Sequence, residues 1–500
     1  MVRLNAHAAR RLAVLFAVLL GGCAGIVSQP QSGGSETARC EQVFTLIDQA
    51  VSSGAAVDAM ASRVPGFSYL RVDRFLQSFA AEPLAGAGFE TWAGRMRALD
   101  ALARGIELSN LPAAARDELE RVVQGPDGAV QLEKLVGRCG AALAARDLAD
   151  PVRRAELREL ARMPDEYQDW KRVLGLYVLT RIPFAAGVRD AERSTAQIFA
   201  LDPERLPVSG NLIRYVPPAT GLAPAAIAGL FAGARRDALG IPEFNAAELD
   251  ALFAAFAPLL EIDTASDDDR IGAVRLVEGD LPGIDLTGAL VYRRIAYTRY
   301  RGSVLAQLVY SFWFPARPAD SAFDLLAGRL DGITWRVTLT PAGEPWVYDA
   351  MHNCGCYHFF VPTARAVLLP RADSLDEQAH VPQRLGAVQA GERITLRIAA
   401  RSHFIQRALP GAVRGAGISY AFADDDTLRS LPSAGGRRSL FGADGMVAAT
   451  ERGERFLFWP MGIPNPGAMR QWGRHATAFV GRRHFDDPHL FEKYFRDPIQ

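Results

Sequence analysis

Seven consecutive residues, His352, Asn353, Cys354, Gly355, Cys356, Tyr357 and His358, hold two of the chain's eight histidines and two of its five cysteines. His352, Cys354, Cys356 and His358 recur at every second position, so an extended backbone turns all four toward one face. Two imidazoles and two thiolates form a donor set that suits zinc or copper. A flat strand would spread them over about 20 Å, too far for one ion. Gly355 must therefore admit a bulge or turn, or other donors must complete the set. Such donors exist: His475, His484 and His489 cluster near the C-terminus, with Asp486 beside them as a further ligand or as a group that fixes an imidazole tautomer. The same tail, around Asp487 and Pro488, also fits a polar turn leading into a helix.

The two cysteines also admit a bridge between near neighbours, structural or redox. In a strand their α-carbons stand near the upper limit for a disulfide, which makes such a bridge strained and reducible. A catalytic thiol is the third possibility. Residues 353–357 are similar to the nucleophile segment of papain-like proteases, where Cys-Gly, a small residue and a second Cys precede an aromatic. Here the small residue is missing, which shifts the phase of the helix that carries such a nucleophile, so that family's roles are not carried over. The chain has no Gly-x-Ser-x-Gly, phosphate loop, His-Glu-x-x-His or Cys-x-x-Cys-His, and no enzyme class follows from motif.

Residues 1–22 carry Arg3, Arg10 and Arg11 with no acid, then an apolar run from Leu12 to Leu20, then Gly21 and Gly22 before Cys23. This order resembles the signal peptide and lipobox of bacterial lipoproteins. The resemblance is confined to the N-terminus. It implies loss of residues 1–22, lipidation of Cys23 (a diacylglyceryl group and palmitate) and attachment to the membrane through that lipid. The lack of aspartate after Cys23 implies an outer-membrane anchor, with the folded part on the periplasmic side. Residues 23–38 read as a flexible tether. An oxidising compartment leaves four cysteines to pair or to hold something, in three possible pairings. Cys40 and Cys139 lie in helical segments, far from Cys354 and Cys356, which favours a Cys40–Cys139 disulfide.

The elements that must position the His/Cys segment are read from hydrophobic period. Phe89, Trp92, Met96, Leu99, Ala103 and Ile106 recur at three and four, as do Val43, Ile47 and Val51, then Leu132, Leu135, Cys139 and Leu143, then Leu249, Phe253 and Phe256. Prolines at 65, 83, 112, 126, 151, 164 and 183 limit these helices. Beyond residue 283 the period becomes two: Ile333, Trp335, Val337 and Leu339, then Ile394, Leu396 and Ile398; residues 303–314 read as a more central strand. The expected fold is multidomain α+β. An α-helical domain spans 39–262 and a linker 263–283. A β-rich, sandwich- or barrel-like domain spans 284–500, carries the His/Cys segment and ends in a short amphipathic helix around Leu490, Phe491, Tyr494 and Phe495. Asp263 and the run 267–269 lack the spacing of a calcium loop and read as solvated linker.

Composition narrows function. Balanced charge, 56 basic against 56 acidic residues with pI near 7.1, gives no field for nucleic acid. Arginine supplies the cations apart from Lys134, Lys171 and Lys493, which a biased codon pool explains more simply than phosphate recognition. Two functions compete: an envelope protein with a metal-binding or redox His/Cys site, and a non-enzymatic envelope lipoprotein that binds a polymer or protein while its cysteines form structural disulfides. Trp346 and Tyr348, just before the segment, fit sugar or peptide contact if exposed and core packing if buried.

Overall fold

The computed structural model describes residues 35–124, 131–218, 221–321, 323–411 and 416–497, and follows the expected order of a helical N-terminal region and a strand-rich C-terminal part. The signal segment and Cys23 lie outside the described residues. Helices α1 (Glu36–Ser53), α2 (Ala87–Ser109), α3 (Ala113–Gln124), α4 (Leu132–Ala149) and α5 (Pro151–Leu160) surround a hairpin of β1 (Ser62–Val64) and β2 (Phe67–Val72). Their apolar stripes are the buried faces: Val43, Ile47 and Val51 on α1, Phe89, Trp92 and Met96 on α2, Leu135, Cys139 and Leu143 on α4. Cys40 and Cys139 form the expected disulfide between α1 and α4, with α-carbons 5.0 Å apart. Helices α6 (Asp169–Leu174), α7 (Tyr177–Phe199), α8 (Pro224–Gly233) and α9 (Ala246–Phe256) follow, and Pro183 sits inside α7 instead of ending it.

Two sheets share one core. The larger is built from β5 (Leu290–Tyr300), β6 (Ser303–Arg317), β7 (Gly328–Leu339), β8 (Pro345–His352) and β9 (Phe359–Pro362), antiparallel in sequence order, with β13 (Ala421–Asp424) parallel to β5 at the far edge. The smaller runs in the order β11 (Ile405–Pro410), β10 (Ile394–Ile398), β4 (Leu259–Thr264), β3 (Asn211–Val216) and β12 (Ile418–Ser419). Leu308, Tyr310 and Phe312 on β6 and Trp335 and Val337 on β7 meet Leu396 and Ile398 on β10 and Leu260 and Ile262 on β4 in one cluster, which makes a sandwich. Strand β6 is buried along most of its length because its other face is covered too, which explains its unbroken apolar run.

Three expectations change and one open alternative is resolved. Strand β4 pairs in parallel with β10, so the sheet of the C-terminal part takes two strands from residues before 265, and the segment read as a linker begins inside it. Asp263 is buried and accepts the Ser209 and Gly210 amides at 2.6 and 2.8 Å, while Asp269 is fully buried although Asp267 stays exposed and Asp268 half-buried. Trp346 and Tyr348 are 1% exposed, Tyr348 stacked on Trp335 and Trp346 packed against Tyr300, Phe491 and Phe495, so both are core. The segment around Leu490 to Phe495 forms successive turns, then pairs Phe495 with Leu368, because its aromatics are drawn onto Trp346 and Phe360.

Charge is buried on a large scale. Arg71 bonds Glu107 at 2.7 Å and Asp100 at 3.2 Å; Arg104 bonds Asp100 at 2.8 Å and Asp48 at 2.6 Å. Arg429 reaches from the C-terminal part to Asp58 with two bonds of 2.9 and 2.7 Å, joining the two regions. Removing one partner of such a set leaves an uncompensated charge, so Arg71→Leu should destabilise by about 3–5 kcal/mol in denaturant unfolding. Replacing Cys40 and Cys139 by serine should cost about 4–5 kcal/mol on the chain-entropy account of a loop this long, checked by unfolding the paired variant without reductant.

Candidate functional site

Residues 352–356 fold back on themselves at the end of β8. The His352 amide donates to the Cys356 carbonyl at 3.0 Å, and the Gly355 amide donates to the His352 carbonyl at 2.7 Å. Gly355 has φ +91°, and a β-carbon there would stand 2.7 Å from the Ala476 carbonyl oxygen, so both backbone and space require glycine. This is the turn that the spacing demands of Gly355, but it sends the four side chains into different surroundings.

His352 Nδ1 lies 3.4 Å from Asp331 Oδ1 on the neighbouring strand β7. The second Asp331 oxygen is 2.8 Å from His403 Nδ1, and His403 Nε2 is 3.3 Å from Asp269 Oδ1, an ion-pair distance without hydrogen-bond alignment. The His403 ring stacks on Phe314 at 3.8 Å. An aspartate, an imidazole, an aspartate and an imidazole thus form a buried line from the turn after β4 to the His/Cys segment. Burial pushes the Asp331 carboxyl up, but His352 and His403 outweigh it and hold it well below the carboxylate range. Burial also works against protonated His403, yet its two carboxylate neighbours raise it, whereas at His352 burial prevails over Asp331 and the imidazole is lowered.

His358 belongs to a second network. Its Nε2 is 2.9 Å from Asp349 Oδ2, its Nδ1 is 3.3 Å from Thr477 Oγ1, and Asp349 accepts from Arg336 Nε at 2.9 Å. Burial lowers His358 to about 4 despite Asp349. The other candidate donors are dispersed: His475 Nε2 contacts the Asn353 carbonyl at 3.1 Å, His484 lies 3.2 Å from Asp165, Asp486 pairs with Arg74 at 3.1 Å, and His489 lies 3.1 Å from Glu492. Among the described residues no three His, Cys, Asp or Glu side chains converge as metal ligands. Cys354 and Cys356 are unbridged, and the Cys356 thiol is pushed far up by its bond to Cys354 and by burial.

What gathers these groups is a cavity of about 870 Å³. Phe184 and Val188 of α7, Met351, Phe404, Phe458 and Phe479 give it apolar walls, while His352, Cys356, Tyr357, Arg317 and Glu454 supply a polar part. Burial raises Glu454 to about 7 against the opposing pull of Arg317 and Arg452, and no cation comes within 4 Å of its carboxylate among the described residues. Glu454 and His352 both feel Arg317 and Asp331, which places them in one electrostatic neighbourhood. Periodicity carried no sign of Glu454, Asp331 or His403, since no spacing rule links residues so far apart. Asp269 was visible only as part of an acidic run.

No known family, curated protein or solved structure matches the chain.

Two outcomes follow from the titrations. His358 is neutral when folded down to about 4 but ionises near 6.5 when unfolded, so the unfolded state binds the extra proton and stability falls as pH drops from 6.5 to 4. His358→Gln should flatten the pH dependence of unfolding in that window by up to about 1.4 kcal/mol per pH unit. Alkylation of Cys356 by iodoacetamide at pH 7 should be slower in the folded than in the urea-unfolded chain, as counted by mass spectrometry, because only the thiolate attacks.

Proposed function

We propose that the chain is an envelope protein, lipid-anchored through Cys23, whose cavity binds a largely apolar molecule and brings its polar end to an acid–base pair, Glu454 and His352. The observation that carries this is the position of the His/Cys turn: it forms part of the polar lining of an apolar-walled cavity of about 870 Å³, within the range that takes a ligand of some tens of atoms. At neutral pH Glu454 is poised to give or take a proton. His352 is unprotonated and backed by Asp331, which suits it to accept one. The Cys356 thiol is held protonated, so it serves poorly as a nucleophile.

A second reading, redox exchange at Cys354 and Cys356, is favoured by the two unbridged thiols standing side by side, Cys354 being the largest influence on the Cys356 thiol. Disulfide formation there would release two protons and pass two electrons to a disulfide-bearing partner. Zinc or copper at the same thiols would require His352 to exchange Asp331 for the ion, and stoichiometric metal in envelope-purified protein would support it.

A fluorescent fatty acid, cis-parinaric acid, tests the main reading. It should bind saturably to the wild type, and Val188→Trp, which fills the cavity, should abolish the signal. Affinity for this carboxylate probe should fall as pH rises through about 7, because ionised Glu454 repels it, and Glu454→Gln should remove that dependence. Binding that is indifferent to Val188→Trp would overturn the assignment.

A further inference from the structure

Helices α6 and α7 bury almost nothing. No residue of α6 is buried and only Ala185 and Phe199 of α7 are, although an ordinary surface helix turns its apolar stripe inward. Here apolar side chains face out: Trp170 is 59% exposed, Val173 73% and Val178 74%, with Leu174, Leu179 and Ile182 also exposed. A second segment carries Phe456, 73% exposed, with Leu457 and Trp459. The two segments are one surface. Gly175 packs on Pro460, where an added β-carbon would meet the ring at 2.5 Å; Phe184 meets Phe458 edge-on at 5.5 Å; Arg172 Nε donates to the Met461 carbonyl at 2.9 Å. Contiguous apolar exposure of this kind marks an interaction site.

We infer that this face docks on an anionic lipid bilayer and that the cavity opens into it. Three observations select lipid over protein. Lys171 stands over the Trp170 ring and Arg455 over the Phe456 ring, and Lys171, Arg189 and Arg455 have no carboxylate within 4 Å among the described residues, so the face combines aromatic rings, exposed Trp459 among them, with positive charge, as headgroup-level surfaces do. Leu457 is both 54% exposed and a wall of the cavity, and Pro183, Phe184 and Phe458 continue that wall, so an acyl chain leaving the bilayer meets apolar surface throughout. Eleven residues lie between Cys23 and the cap Ser35, a span of at most about 40 Å, so a lipid on Cys23 would hold the folded part near the leaflet. No described helix is long and apolar enough to cross a membrane, so the contact is interfacial. What the face serves rests on the cavity reading above; the docking itself does not.

The mature, envelope-purified protein in vesicles of phosphatidylethanolamine and phosphatidylglycerol with brominated acyl chains provides the test. Bromine quenches only tryptophans at acyl depth, so the anchor alone gives no signal. The wild type should lose a substantial share of its emission, Trp170→Phe with Trp459→Phe should lose none beyond the unbrominated control, and Val178→Glu with Leu179→Glu should reduce quenching several-fold. Equal quenching in the wild type and the double Phe variant, or none in either, overturns the inference. So does a dimer by light scattering that Leu179→Glu dissociates, since a second copy then covers the face. If quenching is absent while parinaric acid still binds, the docking face fails and the cavity reading stands; quenching without probe binding reverses that result.

Discussion

Guanidinium groups withdrawn from water hold this molecule together. From about residue 440 the chain has little regular structure yet is largely buried, so its carbonyls find few ladder partners and must be satisfied otherwise. Arginines from across the fold donate to them, Arg74 to Gly473, Arg172 to Met461 and Gly481, and Arg336 to Phe485, while arginines of the stretch itself bind it inward, Arg470 to Asn465 and out to Cys354, and Arg474 out to Ala59. A planar fork with five donors can serve two or three carbonyls and a carboxylate at once. A lysine, with a compact and strongly hydrated charge, cannot. The dependence is mutual, because each buried cation is tolerable only while the irregular chain around it stays in place. The arginine excess that reads in sequence as codon bias is thus used in the interior.

The site inherits this economy of buried charge. Asp331 lies between two imidazoles that titrate in opposite directions, one raised by a second carboxylate and the other lowered by burial. One anion between two imidazoles gives the line a polarity: positive charge is favoured at His403, deep beside Phe314, and disfavoured at His352, where the cavity begins. A proton taken up at the cavity is therefore opposed by the interior it enters, which keeps His352 neutral at rest and a weaker base than a free imidazole. In the same lining, Glu454 has the reverse tendency. Environments that push neighbouring groups apart in this way allow acid and base to coexist at one pH.

Much of this frame was legible before any coordinates. Helical stripes gave α1, α2, α4 and α9, alternation gave β7 and β10, and the unbroken run 303–314 gave the doubly covered β6. The density of histidine and cysteine at 352–358 pointed to a stretch that does line the cavity. What failed had physical causes. Strand β4 is too short and too flanked by helix for period alone to assign it to a distant sheet, and its parallel pairing with β10 is non-local. The terminal aromatics carry helical spacing but gain more by packing on Trp346 than from helix hydrogen bonds. The line through Asp269, Asp331, His352 and His403 joins four separate stretches, and only folding brings them together.

The turn at Gly355 has a bearing on biogenesis. Its outer side is closed by the Ala476 carbonyl and by Arg470, whose side chain reaches the Cys354 carbonyl, while Asn353 bonds the Arg470 amide. These partners are synthesised well after the turn that they close, Arg470 lying 116 residues beyond Cys354. Until they are in place, the two thiols, the imidazoles and the half-built cavity have no wall on one side, and a partly made chain displays a sticky surface in place of a site. Arrival of residues 470 to 476 is therefore the event that turns the segment from exposed to enclosed.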